Sequence, residues 1–176
     1  TDPDSFSEAS VMWEFTDTDL GNVLYRGTVA RMRNGDWAAI FGNGYNSANH
    51  RAMLYIVDIA TGALIEKIDT GVGSAASPNG LASPALLTDN ERTVIAAYAG
   101  DLHGNLWKFD LSDASSGNWG SAFGSAGNPA PLFSAADDET PPNAQPITVE
   151  PEIGLHPTSG GYMIYFGTGR YFVEGD

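Results

Sequence analysis

Cysteine is absent from the 176 residues, which excludes structural disulfides, thiolate zinc sites and cysteine nucleophiles together. Basic residues are scarce: 8 lysines and arginines stand against 22 aspartates and glutamates, for a net charge of −14. So acidic a surface repels phosphate, so nucleic acid and anionic membrane are poor partners, whereas cations remain compatible with it. No apolar run approaches the roughly 20 residues that span a bilayer, and direct membrane insertion is not expected. No basic-then-apolar leader opens the chain, so an exported form is expected to carry its leader outside these residues. Gly-x-Ser-x-Gly elbows and His-Glu-x-x-His helices are missing too, and His50, His103 and His156 lack metal-site spacing.

What is present is turn chemistry and short apolar strands. The chain holds 21 glycines and 10 prolines with 42% hydrophobic residues, a composition that favours short strands and tight loops around a real core. A four-strand order is stated once and then restated after roughly 50–60 residues. The first unit runs through Thr28–Met32, an Asn34-Gly35 turn of type I′ character, Trp37–Phe41 closed by Gly42, Met53–Asp58, a Thr61-Gly62 turn and Ala63–Asp69. The second answers with Ser83–Leu87, Thr93–Ala99 closed by Gly100, Asn105–Asp110 and a delayed fourth strand at Pro131–Phe133. A third is expected to open with Gln145–Glu150, continue through Gly161–Gly167 and reach Gly169–Val173. Val11–Phe15 reads as the last strand of a preceding unit.

The second strands are almost continuously apolar, as strands covered on both faces are. The fold expected is therefore all-β: a partial β-propeller of about three four-stranded antiparallel blades, of quinoprotein-like type and a fragment of a larger ring. Its divisions are a leading segment over 1–27, a blade over 28–70, a linker over 71–82, a blade with a long loop over 83–134, a linker over 135–144 and a partial blade over 145–176.

Several stretches carry a family resemblance. Phe41–Asn46, Leu54–Gly62, Tyr98–Leu111 and Phe166–Tyr171, with Trp13–Asp17 and Asp19-Leu20-Gly21, resemble the C-terminal propeller of the PilC/PilY proteins, the adhesin and assembly factors of bacterial type IV pili. The resemblance extends from about Val11 to Phe172 and is most specific over Ala99–Leu111. It implies a non-catalytic protein that promotes pilus extension and attaches to surfaces or host cells. The implied partners are pilin or minor pilins and a host or surface receptor. The implied location is exported: cell surface, pilus tip or outer membrane. It also implies a calcium loop before the Tyr98-Ala99-Gly100-Asp101 segment. Here Asp89 and Glu91 with the backbone oxygen of Thr93 are the candidate ligands, while Ile95 falls where a further acidic ligand would align. Two carboxylates and a backbone oxygen fall short of the six to eight oxygens calcium takes, and an ordinary hairpin turn is the competing reading.

Other features have structural explanations. Gly71-Val72-Gly73-Ser74-Ala75-Ala76 has the spacing of a dinucleotide turn, but Pro78-Asn79-Gly80 denies it the helix such a turn must open, so it reads as a linker. Asp101 is expected to accept the amides that follow it as an Asx-turn. Asp17, Asp19 and Asp137-Asp138-Glu139 read as solvated loop charges. Trp37, Trp107, Tyr98 and Tyr165 are expected to pack between blades. Arg33-Asn34-Gly35-Asp36 reads as a hairpin turn, not an adhesive tripeptide. Recognition is expected on the loops over 45–51, 113–128 and 135–144. Two rivals are a quinone-cofactor dehydrogenase, for which no cofactor cluster can be assembled, and a periplasmic outer-membrane assembly scaffold.

Overall fold

Short strands alternate with glycine-closed turns along the whole chain, and the turns decide which strands pair. A computed structural model describes residues 7–24 and 26–170. Strands β1 (Thr28–Arg31), β2 (Trp37–Gly42), β3 (Met53–Asp58) and β4 (Leu64–Asp69) form an antiparallel meander in chain order. This is blade 1. Its first turn, Met32–Asp36, differs from the expected type I′ form. Only Gly35 takes a positive φ, of 96°, while Asn34 uses its side chain to accept the Asp36 amide at 3.1 Å. The turn between β3 and β4 is set by Asp58, whose Oδ1 accepts the Ala60 and Thr61 amides and the Thr61 hydroxyl. Gly62 follows at φ 73°.

Blade 2 repeats the order with β5 (Ala85–Thr88), β6 (Val94–Gly100) and β7 (Asn105–Asp110). Its outer strand is divided. Strand β8 (Gly120–Ser121) pairs with Phe109 and Asp110, and β11 (Phe133–Ser134) pairs with Leu106 and Asn105. The hairpin β9 (Phe123–Ser125) and β10 (Asn128–Ala130) is inserted between them. The delayed fourth strand is thus a broken one that carries a projecting hairpin.

The third sheet contains β12 (Glu152–Leu155) and β13 (Tyr162–Tyr165). Its first strand is not Gln145–Glu150, as the sequence suggested. That segment is a connector, with one parallel bridge between Ile147 and Gly169. Ile147 and Val149 favour extended backbone, and β propensity does not reveal whether an extended segment is paired. Of the expected strand at Gly169–Val173, residues 171–173 lie outside the described residues. Val11–Phe15 pairs with no strand among the described residues; the blade it was expected to complete would lie before them.

The cores lie between sheets. Ile40, Leu54 and Ile56 of blade 1 pack with Ala97, Ala99, Trp107 and Phe109 of blade 2 around Leu81 of the linker. A smaller cluster of Leu106, Ala135 and Ile147 receives Ile164 of the third sheet and Phe166 just after it. Each large side chain so buried contributes about 1.5–3 kcal/mol. Trp107 and Tyr98 are buried as expected, whereas Trp37 is 55% and Tyr165 52% exposed. Trp37 opens β2 at the margin of its blade. Tyr165 alternates with Ile164 and Phe166, so it points away from the cluster they join.

Candidate functional site

The most heavily bonded polar groups lie where each second strand ends. Gly42 and Gly100 close β2 and β6, and each is overlain by a connector. A Cβ on Gly42 would lie 2.2 Å from the Ala82 oxygen and 2.4 Å from that of Leu81. One on Gly100 would lie 2.2 Å from Ile147 Cγ2 and 2.4 Å from its oxygen. Glycine is required for this backbone approach, not for an unusual φ.

The residue after each glycine fastens the connector, Asn43 through its side chain and Asp101 through its backbone oxygen, which accepts the Ile147 amide at 2.9 Å. Asn43 Nδ2 donates to the Asp19 and Arg51 carbonyls, at 2.9 and 2.7 Å. Its Oδ1 accepts the amides of Met53 and Leu81, both at 3.0 Å. Asp101 Oδ1 accepts the His103 and Asn105 amides, both at 2.9 Å, which is the expected Asx-turn. Its Oδ2 accepts Trp107 Nε1 at 2.8 Å and the Asn79 and Asn105 side-chain amides at 3.0 Å. Asn79 and Leu81 therefore tie one linker to both blades. The dinucleotide-like Gly71–Ala76 stretch leads into this linker and opens no helix.

On its other face, blade 1 carries residues 13–22 as a strap. Trp13 Nε1 donates to the Ile59 carbonyl at 2.9 Å, with its ring over Gly62. Phe15 sits edge-on to Phe41 and Tyr55, at 6.0 and 5.5 Å between centroids. Asp17 and Asp19 are not solvated loop charges. Lys67 Nζ lies 3.1 Å from Asp17 and 2.8 Å from Asp19, and Asp19 is only 7% exposed. Asn49 also donates to Asp19, and the Tyr55 hydroxyl donates to Asp17 at 2.7 Å. Burial pushes the Asp17 carboxyl up, but hydrogen bonds from the Asp19 amide, Tyr55 and Lys67 outweigh it and hold the group below the usual carboxylate range. The Asp19 hydrogen bond leads in raising Lys67 above its ordinary value. Burial, then Asp17, pushes the Tyr55 phenol well up. This clasp joins residues some 30–50 positions apart, and no local motif announces it.

The candidate calcium residues form a tight turn between β5 and β6. Asp89 Oδ1 accepts the Glu91 and Thr93 amides, at 2.9 and 3.0 Å, and Oδ2 meets Arg33 Nη1 at 2.8 Å. The Thr93 carbonyl accepts the Asp89 amide, Glu91 projects into solvent, and Ile95 offers no side-chain oxygen. The donor set does not fit calcium, which takes six to eight oxygens. Among the described residues no three histidine, aspartate or glutamate side chains are grouped to hold a metal ion. His103 Nε2 lies 3.1 Å from both Ser77 Oγ and the Pro78 carbonyl. A carbonyl only accepts, so this contact selects the tautomer that carries its N–H at Nε2, which has no lone pair there to activate the serine. In the loop at 135–144, Asp137 accepts the Glu139 and Asn143 amides and the Asn143 side chain. Of the expected recognition loops, 45–51 is partly folded in through buried Ser47, while 113–128 and 135–144 are mostly exposed.

Small meanders stacked face to face, each fastened to the next by a linker over a glycine, define a β-propeller segment. The match to known proteins is specific. A family model described as the PilY1 beta-propeller domain covers residues 8–176, and the chain belongs to that family. It is 46% identical over 189 residues to a Xylella fastidiosa protein named type IV pilus biogenesis factor PilY1 homolog, covering 100% of this chain and 13% of that one. It is 42% identical over 192 residues to the Pseudomonas aeruginosa type IV pilus biogenesis factor PilY1, covering 100% of this chain and 16% of the relative. The crystal structure of the P. aeruginosa PilY1 C-terminal domain superposes with a TM-score of 0.81 at 40% identity, over 92% of this chain and 36% of that one. The chain thus spans a minor part of the curated relatives it matches.

Proposed function

We propose that this chain is the propeller portion of a type IV pilus biogenesis factor and that it acts by binding, not by catalysis. The carrying observation is identity of 40–46% along the entire chain to proteins bearing that name. Two features support a binding role. Linkers and strap hold the blades as a stiff body, and the inserted hairpin β9–β10 and the loop at 135–144 project from it. In this reading the whole protein is exported and stands at the pilus tip or outer membrane. It contacts pilin or minor pilins, promotes extension, and meets a surface or host receptor through the projecting loops.

The test is made in the encoding bacterium. Deleting residues 8–170 from the parent gene is expected to abolish surface pili and twitching, while normal piliation overturns the proposal. A second strain replaces only 123–128 by a glycine-serine turn, which leaves the blades intact. It is expected to assemble pili but attach poorly, and unchanged attachment removes the adhesive role from this hairpin.

A further inference from the structure

We infer that Arg33 of blade 1 holds the Asp89–Thr93 turn of blade 2 in the place where the family resemblance implies calcium, locking two adjacent blades without metal. The two turns are brought together by the backbone. Arg31, at the end of β1, forms a parallel bridge with Thr93, just before β6. Arg33 lies in the first turn of blade 1, which the Met32 amide closes onto the Asp36 carbonyl at 2.8 Å. Its guanidinium therefore leaves an anchored hairpin and reaches across the blade boundary.

Both oxygens of the receiving carboxylate are engaged. Two backbone amides occupy Oδ1 and the guanidinium occupies Oδ2. Three backbone oxygens are hydrogen-bonded as well: Asp89 O accepts the Arg92 amide, Thr93 O the Asp89 amide and Ile95 O the Leu111 amide. Arg92, at φ 60°, adds a second positive residue to the turn. A divalent cation here would have to displace one guanidinium beside another arginine, with Glu91 as the one carboxylate of the turn lacking a backbone amide partner among those described. A charge-assisted hydrogen bond from arginine performs the neutralising role, and because it comes from the neighbouring blade it also couples the two.

Thermal unfolding of the chain tests both halves. The unfolding midpoint is expected to agree within about 1 °C between millimolar calcium and a chelator, with no calorimetric heat on calcium addition. Arg33→Gln and Asp89→Asn are each expected to lower it by about 1–3 °C. The double variant is expected to lose no more than the worse single variant, because both break one contact. Arg33→Lys restores the charge without the planar fork and is expected to recover part of the loss. A calcium-dependent rise that disappears in Asp89→Asn overturns the inference. So does an unchanged midpoint in Arg33→Gln, or losses that add in the double variant.

Discussion

Blades 1 and 2 end their second strands with the same joint built from different chemistry. Gly42-Asn43 and Gly100-Asp101 both admit a connector over the glycine, but Asn43 fastens its connector with the side chain. Asp101 instead holds the Ile147 segment through its backbone oxygen and turns its carboxylate back to Asn79 of the preceding linker. Asn43 faces two carbonyls and two amides, so it must donate and accept. Asp101 faces N–H groups at every contact, so a carboxylate suits it, and those donors keep its charge tolerable in a buried place. The repeat preserves backbone geometry and lets the polar atoms differ. What is common to the blades is the empty space above a glycine.

The sharpest way to break that likeness is to fill the space. Gly42→Val and Gly100→Val each place carbon within 2.5 Å of connector backbone, and backbone held by linker bonds cannot retreat cheaply. Each is expected to cost about 3 kcal/mol or more, seen as loss of a cooperative thermal transition or as an insoluble chain. Retention of wild-type unfolding by either would remove the joint as a common device.

Exchanging the fasteners comes next. Asn43→Asp sets a carboxylate oxygen against the Asp19 and Arg51 carbonyls, and Asp101→Asn turns an NH₂ toward Trp107, Asn79 or the turn amides. Each is expected to cost about 2–4 kcal/mol in denaturant unfolding, through repulsion and donors left without acceptors. Tolerance of either exchange would show that the two joints are chemically interchangeable.

The strap extends the comparison, since it covers blade 1 on the side away from blade 2. Lys67→Met leaves Asp17 and buried Asp19 without their cation, and a loss of about 2 kcal/mol is expected. The pH profile carries the same signature. Asp17 titrates below its ordinary value of 3.8 when folded, so its contribution is present above that pH and disappears as acid carries the protein through the lowered value. Lys67 titrates above 10.5, so its contribution is full below that pH and fades as base passes the raised value. Melting curves of wild type and Lys67→Met should converge at both extremes. A gap that stays constant with pH would mean the lysine acts only by packing.

These contrasts also mark how far the amino-acid sequence could be read. Strands β1 to β7 were legible to within about two residues because the apolar pattern and turn formers act locally. The Asp101 turn was legible for the same reason, as its Oδ1 partners lie two and four residues on. Strand β12 was missed because Glu152-Ile153-Gly154-Leu155 carries a weak strand signal, while the β-branched stretch at Ile147–Val149 carries a strong one and serves as a connector. The Lys67 clasp and the Arg33–Asp89 contact were illegible, since each joins residues that only the stacked sheets bring together. Arg33 stood in the reading as part of a turn and Asp89 as part of a loop, with nothing local to pair them.

The smallest effect belongs to the third glycine in the series. Gly167 follows β13 as Gly42 closes β2, yet a Cβ there would meet nothing within 4 Å, and its φ lies outside the positive range. Gly167→Ala in this chain is expected to change stability by no more than about 0.5 kcal/mol, with a slight gain from the restricted unfolded chain. Chemical unfolding of the variant beside Gly100→Ala gives the contrast directly, because the same added methyl meets Ile147 in one case and open space in the other. If both cost the same, the penalty at Gly100 comes from the residue type and not from the connector above it. If only Gly100→Ala is costly, a joint of this kind is made by what lies over the glycine. The Gly167 substitution would then become costly in any longer polypeptide whose own connector crosses that position.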